Sequence, residues 1–304
     1  MPFPFRFPTT PRAKNGENCI SNMPEKVFFH GIWPDFFSSG EHVFWLNLLN
    51  NAGLSCQVAS NPQEATVLCE SHFGQSLCKA KSWKKRIFFS GESILNWPIP
   101  NVAGYNLVLS SKIAHPNTVP FPWYVQVQHP PFPIPSAVPP HCIAGVIGTI
   151  TRHGGDTFRK EFTDALFASG LELRMGGAYA NNIGYRVGGS WKSDELTDFY
   201  KQHKFVLALE NSSEEYYITE KIINALKAGA VPIYYGSPRI AEFFNKNRIV
   251  IVTPETMSAA IAKIKFIASN DTIWSEMVKQ PVEGPRYNTI MDEITAGAKA
   301  RLQG

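Results

Sequence analysis

Apolar residues in this chain fall into short unbroken runs that alternate with stretches of helical spacing. Runs of four to eight apolar residues bounded by turn formers read as strands buried on both faces. In the first half this predicts strands at 26–32, 65–70, 86–90 and 105–110, with a helix over 41–51 stopped by Gly53. In the second half the pattern predicts strands at 142–149, 205–209, 231–235 and 248–252. Helices are expected at 158–169, closed by Gly170, and from Thr219 to a terminating Gly229. Another is entered through Thr253-Pro254-Glu255 and runs to Ser269, and a last one covers 292–302. Thr219 has the chemistry of an N-cap, and Gly229 that of the glycine just past a helix end.

Strands alternating with helices imply mostly parallel sheets. Nine prolines crowd residues 115–140, a density that defeats helix and central strand alike, save for one inserted strand at 123–128. The expected organisation is therefore a Pro-rich arm (1–24), an α/β domain (25–114), a linker (115–140), a second α/β domain (141–285) and a helical tail (286–304).

Charge gathers where the helix after residue 209 begins. A strand–helix–strand crossover brings that helix start to the carboxyl edge of the sheet, where open α/β folds bind ligands. Helix N-termini favour anions, so Lys221 in the first turn makes sense beside an anionic ligand, or as a surface lysine paired with Glu214 or Glu215. Arg159 poses the same question. If Asp156 caps a helix beginning at Thr157, Arg159 stands where a capping box places Glu or Gln, so it either grips an anion or is an ordinary surface cation. Glu220 reads as a helix-dipole carboxylate, and Asn181 and Asn182 as loop residues or ligand contacts. Glu92 follows an apolar strand through Ser90-Gly91, either as a loop carboxylate in water or as one aimed into a cleft.

The segment ENSSEEYYITEK from Glu210 to Lys221, with AGAVPIYYGSP downstream, resembles the donor signature of the α1,3/4-fucosyltransferases. That family's pattern is FxxxFENSxxxxYVTEK followed by AxxxGxVPVxxGxP. The departures are Leu209 for Phe and Ile218 for Val, and neither removes a polar group. Similarity is strong over residues 158–238 and weaker elsewhere between 26 and 280. The resemblance implies a GT-B fold, two Rossmann-like domains facing a central cleft, and an inverting transfer of L-fucose from GDP-β-L-fucose. It implies that Arg159 and Lys221 hold the diphosphate, with Asn211, Tyr217, Glu210 and Asn182 around the donor and Glu210 alternatively ordering the loop. Glu220 would help with charge at the anomeric carbon, and Glu92 would be the general base. The expected acceptor is a glycan hydroxyl, on N-acetylglucosamine or glucose. A different GDP-sugar, an unusual acceptor or a non-catalytic glycan- or nucleotide-binding relative are the alternatives. Eukaryotic members carry an N-terminal membrane helix, so the resemblance implies a bacterial- or viral-type form in the cytoplasm, or an anchor-less form in the Golgi lumen.

Composition excludes more than it selects. Apolar content of 44% with 18% charged residues is that of a folded chain, and the net charge of 29 − 25 = +4 gives no reason to expect nucleic acid. The densest basic run, Lys79, Lys81, Lys84, Lys85 and Arg86, is expected on a solvated helix face, or else against an anionic acceptor or membrane surface. There is no signal-peptide pattern and no apolar stretch of membrane-spanning length. Five cysteines lack metal-like spacing, Cys56 and Cys69 look like buried thiols, and the odd count suits a reducing compartment. Neither HExxH, GxSxG nor a P-loop occurs, and no Asp-x-Asp pair is present to hold a metal on the diphosphate. No resident cofactor is expected, with metal stimulation left open.

Overall fold

The computed structural model describes residues 23–99, 101–127, 131–150 and 154–304. The expected arm at 1–24 lies almost wholly outside the described residues. The chain divides into two compact units: described residues up to Phe121 together with Thr289–Gly304, and Pro122–Asn288.

The first unit is a six-stranded parallel sheet of β1 (Glu25–His30), β2 (Cys56–Val58), β3 (Val67–Glu70), β4 (Lys85–Phe89), β5 (Leu107–Ser110) and β6 (Thr118–Pro120). Their order is β2-β1-β3-β4-β5-β6. Helix α1 (His42–Asn51) turns Phe44, Trp45, Leu48 and Leu49 inward, and Trp45 stacks on Phe89 with centroids 3.9 Å apart. A side chain buried this completely contributes about 1.5–3 kcal/mol of transfer free energy. Pro120 fits because β6 is an edge strand, where a missing N–H breaks no ladder. The basic run falls in a turn and the start of β4, not on a helix face. Lys81 donates to the Pro62 carbonyl at 2.7 Å, and Lys84 pairs with Glu25. Cys56, Cys69 and Cys78 are buried free thiols.

The second unit repeats the plan with β7 (His141–Gly145), β8 (Leu173–Met175), β9 (His203–Leu209), β10 (Val231–Tyr235) and β11 (Val250–Ile251), ordered β11-β10-β9-β7-β8 and parallel throughout. Its helices are α2 (Gly154–Ala168), α3 (Asp194–Lys201), α4 (Glu220–Lys227), α5 (Ile240–Phe243), α6 (Met257–Ala268) and α7 (Asp271–Val278). Phe158, Phe162 and Leu166 recur at every fourth position of α2 and are buried against β7, β9 and β10 residues of the same core. Gly229 takes φ +76° directly after α4, the left-handed geometry that suits glycine there. Buried Arg248 donates to the Ala230 carbonyl at 3.0 Å, placing a cation at that helix's negative end.

The segment expected as a strand at 123–128 is a 3₁₀ turn, Trp123–Gln126. The Pro-rich stretch does not stand apart as a linker, since β6 belongs to the first unit and Pro122 opens the second. The final helix, α8 (Ile290–Gln303), belongs to the first unit, with Gly297 against Val119 of β6.

Candidate active site

In the second unit the sheet order reverses between β7 and β9: from β7 the chain crosses to β8 on one side, then returns to β9 on the other. Such a switch point opens a crevice at the carboxyl ends of the two strands. Of the residues singled out in the sequence, Glu210, Asn211 and Tyr217 lie in the loop after β9, Glu220 and Lys221 open α4, and Arg159 is on α2.

Every residue of β9 from Phe205 to Leu209 is buried, and the ladder extends one residue further through Glu210 N–H to the Tyr235 carbonyl at 2.8 Å. The Glu210 side chain is also fully buried. It closes the loop by accepting from Thr219 N–H at 2.7 Å and from the Thr219 hydroxyl at 2.8 Å. Thr219 occupies the N-cap position of α4 as expected, yet its hydroxyl does not cap the helix. It gives its proton to Glu210 and accepts one from Lys221 Nζ at 3.0 Å.

Lys221 Nζ also stands 3.1 Å from Glu210 Oε2 and 3.4 Å from Glu220 Oε1. These three oxygens match the three protons of an ammonium. The partners of Lys221 are therefore Glu210 and Glu220, not Glu214 or Glu215. Burial pulls the Glu210 pKa upward, and Lys221 is the largest influence holding it back. At Lys221 burial opposes the charge, but Glu210, Glu220 and Tyr217 outweigh it, and its pKa is raised.

Arg159 is nine-tenths buried and ties three segments together. Nη1 donates to Asn211 Oδ1 at 3.1 Å, and Nη2 donates to the Thr149 carbonyl at 3.0 Å. It bridges α2 to the loops after β7 and β9, across the switch point. The helix starts at Gly154 and not at Thr157, so Arg159 lies in its second turn rather than at the third position. Tyr217 is buried, and its carbonyl accepts from the Tyr234 hydroxyl at 3.4 Å.

Asn182 is held against β8. Its carboxamide accepts from Met175 N–H at 2.7 Å and donates to the Leu173 carbonyl at 2.7 Å. β8 is an edge strand, and Asn182 completes its open side as a neighbouring strand would. Asn181 binds the Gly177 and Tyr185 carbonyls at 3.0 and 2.8 Å.

Glu92 lies in the first unit, in the turn that follows β4. Ser90 Oγ donates to the Glu92 carbonyl at 2.8 Å and accepts from Glu92 N–H at 3.1 Å, and His72 Nε2 stands 2.7 Å from the same oxygen. Neither His72 nor Ser90 was marked by sequence pattern. His30, at the end of β1, bonds the Gln75 carbonyl at 2.8 Å. Among the described residues no group of three or more His, Cys, Asp and Glu side chains is placed to hold a metal ion, and no helix is long and apolar enough to cross a membrane.

Two parallel doubly wound sheets are the architecture of the GT-B fold. An α1,3-fucosyltransferase crystallised with GDP superposes with a TM-score of 0.68, covering 96% of this chain and 94% of that one. At 19% identity that likeness speaks for the fold alone. Residues 146–278 match the model of the glycosyltransferase family 10 (fucosyltransferase) C-terminal domain. A putative fucosyltransferase-like protein of Arabidopsis thaliana is 27% identical over 205 residues, 66% of this chain and 37% of the relative. The alpha-(1,3)-fucosyltransferase of Helicobacter pylori is 34% identical over 122 residues, 40% of this chain and 24% of that protein. GDP-fucose protein O-fucosyltransferase 3 of Mus musculus is 50% identical over 104 residues, 33% of this chain and 21% of that protein. The chain thus spans well under half the length of these three relatives.

Proposed function

We propose that this chain transfers L-fucose from GDP-β-L-fucose to an acceptor hydroxyl, with inversion at the anomeric carbon. The observation that carries this reading is a buried arginine and a caged lysine that reach adjacent residues after β9, Asn211 and Glu210, inside the family-matched segment. As the bond from the anomeric carbon to the diphosphate breaks, negative charge grows on the leaving phosphate. Arg159 and Lys221 supply fixed positive charge to it, the form of stabilisation that needs no reorganisation during reaction. The Lys221–Glu220 contact, at 3.4 Å the longest of the three, is the one a phosphate oxygen would replace. Glu220 would then be released toward the cationic anomeric centre. Glu210 and Thr219 hold the lysine in place, Asn211 and Tyr217 flank the donor, and Glu92 takes the acceptor proton. Asn182 keeps a place around the donor only through atoms its β8 bonds leave available.

The expected acceptor is a glycan hydroxyl, on N-acetylglucosamine or glucose. A second reading, a hydroxyl on a polypeptide, is favoured by the 50% identity with mouse GDP-fucose protein O-fucosyltransferase 3. The donor is testable without the acceptor. Calorimetric titration with GDP-fucose, GDP-mannose and UDP-galactose in EDTA should show binding of GDP-fucose alone. Arg159→Ala should weaken it by about tenfold or more, the loss of one charge-assisted contact or two. Equal binding of all three would refute the donor assignment.

A further inference from the structure

The first unit also has a switch point, between β1 and β3, and the loop after β3 carries an unassigned polar group. In the parallel register of β3 with β4, Val67 faces Lys85 and Glu70 faces Phe88. Continued two residues past that last pair, the register sets His72 opposite Ser90, and the side chains meet there at 2.7 Å. Ser90 is buried.

Proton counting fixes the direction of that bond. A serine hydroxyl has one proton and two lone pairs. Its proton goes to the Glu92 carbonyl, and one lone pair receives the Glu92 N–H. The other must receive a proton from His72, which is therefore the Nε2–H tautomer. Burial pushes the His72 pKa down to about 4, so the ring does this while neutral. The ring lies edge-on to Phe88 with centroids 5.0 Å apart. The loop beneath it is pinned by Glu70, 1% exposed, which accepts from the Ser76 hydroxyl at 2.6 Å and from Leu77 N–H at 2.9 Å. A further bond comes to Glu70 from the Tyr105 hydroxyl.

We infer that His72 and Ser90 are positioning residues that clamp the main chain of Glu92, and so fix where its carboxylate meets the acceptor hydroxyl. The inference rests on the reading of Glu92 as the base. Neither side chain touches substrate in this scheme. The clamp holds both the N–H and the carbonyl of the one residue whose side chain must be placed to within a fraction of an ångström. Misplacement by about 1 Å can lower a rate by about a hundredfold.

The test uses the full chain and GDP-fucose with water as acceptor, reading GDP release, alongside GDP affinity by calorimetry and ¹⁵N NMR of the histidines. Glu92→Gln should lower turnover by about a hundredfold, as for loss of a general base. Ser90→Ala and His72→Phe should each lower kcat by about ten- to thirtyfold through misplacement, with GDP affinity within about twofold. His72→Gln, whose amide N–H can reach Ser90, should recover to within about threefold of the parent. The NMR spectrum should show His72 as the Nε2–H tautomer, and this readout needs no turnover. Undiminished turnover in Ser90→Ala beside an inactive Glu92→Gln would overturn the clamp and leave the base standing. Full turnover in Glu92→Gln would overturn the base and the clamp with it. An Nδ1–H tautomer at His72 would overturn the clamp alone.

Discussion

Replacing Lys221 with alanine should destabilise the protein in a way that depends on pH, and the sign of that dependence is worked from its partners. Glu210 is 0% exposed and Lys221 25% exposed, with Nζ 3.1 Å from the carboxylate. Removing one partner of a buried pair costs about 3–5 kcal/mol, because the other charge is left buried. Partial exposure of the lysine and the two retained Thr219 bonds argue for the lower end, about 3 kcal/mol at pH 8. That should lower Tm by about 6–12 °C for a domain of this size. Burial already raises the Glu210 pKa, with Lys221 foremost in opposing it. Without the lysine it rises further above the unfolded value of about 4.3. Between those two pKa values the folded state binds a proton that the unfolded state does not, so stability falls as pH rises. The deficit should thus be smallest near pH 5 and grow toward pH 8.

Urea unfolding followed by circular dichroism from pH 5 to 9 measures this for wild type, Lys221→Ala and the double variant Lys221→Ala/Glu210→Gln. The double variant should regain part of the loss at pH 8, and its deficit should be flat with pH. A Lys221→Ala deficit below about 1 kcal/mol, the range of an exposed pair, would refute the buried-pair argument. So would a deficit that does not change with pH.

Arg159→Lys should weaken GDP-fucose binding by about tenfold in calorimetry, since lysine cannot keep two neutral acceptors and a phosphate on one planar fork; unchanged affinity would exclude Arg159 from the donor site. Asn182→Ala should cost about 1–2 kcal/mol in urea unfolding through two lost bonds to β8, while GDP-fucose Kd stays within about twofold; a tenfold weaker Kd would make donor binding its main role. Gly236→Ala should lose about 2 kcal/mol or more by overpacking, and wild-type stability would contradict the placement of Glu210. A β-carbon there would fall 2.5 Å from Glu210 Cγ and 2.6 Å from Tyr234 Oη, at a φ of +155°.

The β9–α4–β10 unit was legible in the sequence because its signals are local. Apolar run, loop residues, N-cap and C′ glycine lie within a few residues of the boundaries they set, and the observed Glu220–Lys227 and Val231–Tyr235 fall where expected. Three-residue strands such as β6 and β8 are too short to show a period, and neither was expected. The start of α2 was hidden by Gly154-Gly155, a pair with poor helix propensity, so Asp156 looked like a cap and Arg159 like a first-turn residue. Helix α3 was readable but missed: Ser193 accepts from Leu196 N–H and precedes Asp194-Glu195, with Leu196, Phe199 and Tyr200 buried.

Partners were harder to read than positions, and the reason is geometric. Thr219 was expected as a cap because a cap is judged from the residues that follow it. Its hydroxyl instead serves Glu210, which a turn of the chain returns to it. Arg159 and Asn211 meet across a switch point, and His72 and Ser90 across neighbouring strands. Strand order and register decide both meetings, and neither is written in spacing along the chain. Register does, however, make a checkable connection. If β3 and β4 slipped by one residue, His72 would face Phe89 or Gly91 and the Ser90 hydroxyl that holds the Glu92 main chain would lose its third partner. Such a slip would also exchange the two faces of these strands. The packing of Leu68 and Phe88 in one core cluster opposes that exchange, so the same apolar contacts that stabilise the first unit also fix the turn that carries Glu92.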